Sequence, residues 1–201
     1  FDRQLDRFEA ASSARDYPEA HDALSILQRQ QAPASLTSAL RARLEETLLQ
    51  RIEQETERGN WRGCLEHVSY SDAWFGRGDD GSGQADAERA CADLVIARAN
   101  DLAGKGSEVA AYELTREALT LYDDDRLAAR VTSARTSWAA RIDEEVQRLL
   151  EEKKLGMAYL RALTARRVGG SGHGERREEI RAMLPRPVSP SMEVTWRGAP
   201  D

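Results

Sequence analysis

The sequence predicts an all-α fold in which antiparallel helical hairpins stack into an α-solenoid, with a closed helix bundle as the alternative. Three observations lead there. Ala, Glu, Arg and Leu dominate the composition, and all four are strong helix formers. Apolar residues recur with helical spacing: Leu36, Leu40, Leu44, Leu48 and Ile52 every four residues, and Trp138, Ile142, Val146, Leu149 and Leu150 along one face of a later segment. Four short segments repeat one apolar pattern, their starts 44, 50 and 44 residues apart.

The breaks between these segments order the elements. Asp16-Tyr17-Pro18 reads as an N-cap with Pro in the first turn, so helices are expected over 2–14 and 17–31. Ala32-Pro33 with Ser35 ends the second and opens a third over 35–58, and Gly59-Asn60 turns the chain into a fourth over 60–75. The loop Gly76 to Gly83 separates it from 84–103, and Gly104-Lys105-Gly106-Ser107 joins that helix to 107–122. Asp123-Asp124-Asp125 places negative charge where a helix start favours it, opening 124–153. Helices over 155–168 and 174–184 follow, divided by Gly169 to Gly174.

Within the four short segments the pattern falls at offsets 0, 3, 7 and 10: Tyr17/Ala20/Leu24/Leu27, Trp61/Cys64/Val68/Ser71, Ala111/Leu114/Ala118/Leu121 and Leu155/Ala158/Ala162/Ala165. Each of the last three follows a longer helix. One such hairpin cannot bury its apolar stripe alone, and stacked neighbours make a continuous core. Small residues at one offset let adjacent helices approach closely.

Asp16-Tyr17-x-x-Ala20-x-x-x-Leu24 resembles the second helix of a tetratricopeptide repeat, and Asn60-Trp61-x-x-Cys64-x-x-x-Val68 follows it more loosely. The period of 44–50 residues departs from the family's roughly 34, and the first-helix signature of Trp, Leu-Gly and Tyr is missing. The resemblance implies a protein-binding scaffold. It carries over no ligand-binding residue, because the matching positions are packing positions.

Composition excludes several classes. With 29 basic against 35 acidic residues the net charge is −6, which argues against a general nucleic-acid binder. All the basic residues are arginine except Lys105, Lys153 and Lys154. No aliphatic run is long enough to cross a membrane, and no signal-peptide pattern opens the chain at Phe1.

Neither a catalytic constellation nor a metal or cofactor site is expected. His21, His67 and His173 are scattered, and Cys64 with His67 at i+3 occupies a packing offset rather than an activated site. Asp79-Asp80-Gly81-Ser82-Gly83 fails the calcium-loop spacing, Arg77-Gly78-Asp79 says nothing alone, and the glycines of 169–174 lack the Lys of a phosphate loop. Cys64 and Cys91 fall at similar heights on neighbouring antiparallel helices. A disulfide is therefore within reach and would imply export to an oxidising compartment. Two buried thiols are the simpler reading, leaving the compartment cytoplasmic or exported. Arg161, Arg166, Arg167, Arg176, Arg177 and Arg181 against Glu175, Glu178 and Glu179 form a local basic excess, a candidate docking patch for an acidic partner beside the simpler reading of a solvated face.

The helical-repeat domain is expected over 1–184. Residues 185–201 hold three prolines within Leu184 to Pro190 and then the alternating Met192-Glu193-Val194-Thr195-Trp196, which reads as a linker and the first strand of a β-domain beyond residue 201. The expected function is a non-catalytic protein-interaction or scaffold module, partner unidentified. The alternative is a helical regulatory domain of a larger enzyme whose catalytic part lies outside these residues.

Overall fold

A computed structural model of the chain describes residues 1–77, 82–170 and 174–184. Among them are nine helices: α1 (Asp2–Ala14), α2 (Tyr17–Arg29), α3 (Ala34–Glu57), α4 (Trp61–Phe75), α5 (Gly83–Gly104), α6 (Glu108–Leu121), α7 (Asp125–Glu151), α8 (Leu155–Gly169) and α9 (Gly174–Met183). The described residues contain no strand. The Pro-rich segment and the strand expected at 192–196 lie outside them.

The helix starts follow from their caps. Asp16 accepts from the Glu19 amide at 3.2 Å, Asn60 from Gly63 at 3.4 Å and Ser82 from Ala85 at 3.2 Å, each satisfying an amide that has no partner within its helix. Asp124 accepts from both Arg126 and Leu127, at 2.8 and 3.0 Å. Ser107 stands at the N-cap of α6 without a side-chain bond. Gly59 and Gly106 take φ of +70° and +79° to turn the chain between helices.

The chain forms two compact units, Phe1–Trp138 and a second beginning at Ala139. In the first unit the hairpins stack in chain order. Each neighbouring pair from α1 to α6 packs together, and α3 and α4 also reach the next-but-one helices α5 and α6. Two apolar clusters follow one another along this stack: Phe8, Tyr17, Leu24, Leu27, Leu44 and Leu48 belong to the first, and Ile52, Leu65, Val68, Val95, Leu127 and Val131 to the second. In the second unit α8 packs on α9, and Ile142, Val146, Ala158, Ala162, Ala165 and Ile180 are buried.

The offset-seven positions of the repeated pattern, Leu24, Val68, Ala118 and Ala162, are all buried. The expected core position Leu121 is 40% exposed instead. Helix α6 ends there, and Tyr122, in extended backbone, turns its ring into the core in its place.

Candidate functional site

An open groove of about 580 Å³ runs between α3 and α5 in the first unit. Its floor is apolar, made by Leu49 and Ile52 of α3 and by Ala87 and Ala90 of α5. Small residues open it: Gly83, Ala87 and Ala90 lie on one face of α5, and a side chain at Gly83 would start 3.9 Å from Leu49 Cδ1.

Its rim is acidic. Glu46, Glu53 and Glu57 stand exposed along α3, with Asp86 opposite on α5. Arg51 and Arg58 pair with the buried Glu55 at 2.5 and 3.6 Å, whereas Arg89 pairs with the rim residue Asp86 at 2.5 Å. Among the described residues Glu46 accepts from the Gln50 side-chain amide, at 3.3 Å, and forms no ion pair. Among the described residues Glu53 and Glu57 form no ion pair.

Beneath one wall of this groove lies the disulfide. The structure joins Cys64 of α4 to Cys91 of α5, with Cα atoms 5.7 Å apart, where the simpler sequence reading has two thiols. Both residues are fully buried, and the Thr56 hydroxyl on the groove wall lies 3.0 Å from Cys64 Sγ. With its sulfur in this bond Cys64 offers no thiolate to His67. That imidazole instead faces the Gly63 carbonyl at 2.5 Å and the Tyr17 ring at 5.4 Å.

A polar joint connects the end of α4 to the starts of α5 and α7. Tyr122 donates to Asp72 Oδ2 at 2.7 Å, and Gln84 donates to Asp72 Oδ1 at 2.8 Å and to the Gly76 carbonyl at 2.7 Å. Arg77 reaches Asp124 at 3.1 Å and Asp72 at 3.7 Å. Glu88 is buried beside this cluster at the edge of a second cavity of about 390 Å³, which Ala92, Tyr122 and Leu127 also line. Burial and then the Asp72 charge push its carboxyl up to about 7. Burial and the same carboxylate hold the Tyr122 hydroxyl well above the usual phenol range.

Between α2 and α4 the aromatic rings form a chain that sequence reading missed. Tyr70 stacks on Trp74 at 5.0 Å, Trp74 on His21 at 4.4 Å, and Arg41 covers Phe75 at 5.4 Å. Burial pushes His21 below the ordinary imidazole range. The signal was present in the spacing Tyr70, Trp74, but nothing in the sequence pointed to His21 as the partner.

The basic patch is partly self-neutralised. Arg161 pairs with Glu145 of α7 at 2.6 Å. Arg177, Arg181 and Arg166 all act on Glu178, whose carboxyl is held below its usual range chiefly by the Arg177 hydrogen bond. Arg166 and Arg167 are exposed in the last turn of α8. The Arg176 side chain, the glycines and aspartates of 78–81 and His173 lie outside the described residues. Among those described, no three His, Cys, Asp or Glu side chains are grouped to hold a metal ion, and no helix is long and apolar enough to cross a membrane.

Comparison with protein-family models, curated proteins and solved structures gives no match to this chain.

Proposed function

We propose that the chain is a non-catalytic protein–protein interaction or scaffold module built from tetratricopeptide-like helical hairpins. The stacking of α3 on α5 and of α4 on α6, beside the contacts within each hairpin, carries this reading. A stack built that way spends its apolar residues between successive helices and leaves long helix faces outside, where side chains are free to meet a partner. The groove between α3 and α5 is such a face, and its small floor residues are what an approaching segment needs.

The test is capture by the full 201-residue chain, immobilised and crosslinked in extract of its source cells. One or a few proteins should be retained in stoichiometric amount and displaced by excess free chain. If no retained protein is displaced by free chain, the interaction reading fails.

A further inference from the structure

We propose that the α3–α5 groove takes an amphipathic helix of a partner protein that carries Lys or Arg along one edge of its apolar stripe. This rests on the interaction-module reading and names the partner's chemistry. Glu46, Glu53 and Glu57 share one edge of α3, because steps of seven and eleven residues return a helix to nearly the same side. At 1.5 Å per residue they span about 16 Å, or three helical turns. Leu49 stands on the neighbouring stripe and faces Gly83 of α5 across the trench, while Ala87 and Ala90 line the same groove.

The groove therefore offers an apolar strip bordered by three carboxylates that form no ion pair among the described residues. A partner helix running along α3 matches it with basic residues at the spacing of those glutamates and with Leu-sized residues beside them. A strand of basic residues would contact the rim but leave the apolar floor wet. An uncharged apolar helix would fill the floor and leave the rim unpaired. Burial on the floor supplies the affinity, and the exposed rim charges supply register, association rate and salt dependence.

The probe is a labelled synthetic peptide of about 15 residues, Lys at the glutamate spacing and Leu beside it on an Ala/Gln background, titrated by fluorescence anisotropy against the full chain. A counterpart with Glu for Lys serves as control. The Lys peptide is expected to bind at least about tenfold tighter than the Glu peptide, and to weaken several-fold between about 50 and 200 mM salt. Glu53→Lys with Glu57→Lys should reduce binding about tenfold, and Ala87→Trp, which fills the floor, should do the same. The glutamates are exposed, so their variants keep the fold and carry the test if Ala87→Trp loses its helical signal. Equal binding of the two peptides, no binding of either, or unchanged binding by the charge-reversed chain overturns the proposal. So does self-association of the chain that these variants abolish, because the occupant would then be a second copy. A captured cellular partner held equally by wild type and variants leaves the module reading standing and removes the groove from it. Peptide binding with no captured partner does the reverse.

Discussion

Glu88 is 8% exposed and shares its surroundings with two other carboxylates, so ionising it places a third negative charge against Asp72 and Asp124. The cations facing it are Arg77, drawn to Asp124 and Asp72, and Arg126 at the start of α7. Tyr122 donates to Asp72, and Gln84 to Asp72 and the Gly76 carbonyl. The folded protein keeps the Glu88 proton up to about pH 7, whereas an unfolded Glu loses it near 4.5. The native state thus binds more protons between those values, and the Glu88 contribution, complete below about pH 4.5, is lost as pH rises to about 7. Glu88→Gln removes that slope. Urea midpoints at about pH 5 and pH 8 should fall further apart in the wild type than in the variant, by roughly 1–2 kcal/mol after allowance for solvent screening. Equal pH dependence in the two proteins excludes Glu88 as the titrating group. Nothing in the sequence singled out this residue. Asp72, Glu88 and the Tyr122–Asp124 connection come from three segments and meet only through packing, while each taken alone reads as a surface residue or a helix cap.

At the level of the element, local chemistry decided most of the outcome, and that is why the helices were legible. Asp16-Tyr17-Pro18, Gly59-Asn60 and the Gly76–Gly83 loop act locally, and the boundaries they imply fall within two residues of those observed. The end of α1 before Arg15 falls where expected, but α2 and α7 stop at Arg29 and Glu151, two residues short, because Gln31 and Lys153 adopt φ near +60°, a conformation that no glycine announced. The α3–α4 turn shows the chemistry at work. Gly59 takes φ +70°, and Asn60 both caps α4 and donates to the buried Glu55 at 2.5 Å. Nothing lies within 4 Å of a side chain added at Gly59, so Gly59→Ala tests the backbone alone. It should cost about 1–2 kcal/mol of unfolding free energy, read from the shift of the urea midpoint. An unchanged midpoint would mean that the turn has another conformation open to it.

Across the whole molecule, the repeat was visible as a spacing of small and apolar residues, and the first unit builds its core from that spacing. The groove was not visible. Its rim glutamates are ordinary in a helix that is rich in them, and its floor joins Leu49 and Ile52 of α3 to Ala87 and Ala90 of α5, two helices that meet only in the fold. The Cys64–Cys91 bond acts on the scale of the stack, since it ties α4 to α5 across a separation of 27 residues and so links successive hairpins. Closing a loop of that size removes freedom from the unfolded chain worth about 3.5 kcal/mol at room temperature. A stacked domain with modest apolar cores depends on a constraint of that size, because net stability is about 5–15 kcal/mol in total. The chain denatured without reductant should show no titratable thiol, and two after reduction. The reduced protein should unfold at a lower urea concentration, by about 3 kcal/mol, with the loss repeated by Cys64→Ala combined with Cys91→Ala. Two thiols in the unreduced chain would remove the bond. A bond whose reduction leaves the midpoint unchanged would place the stability of the stack in its packed helices alone.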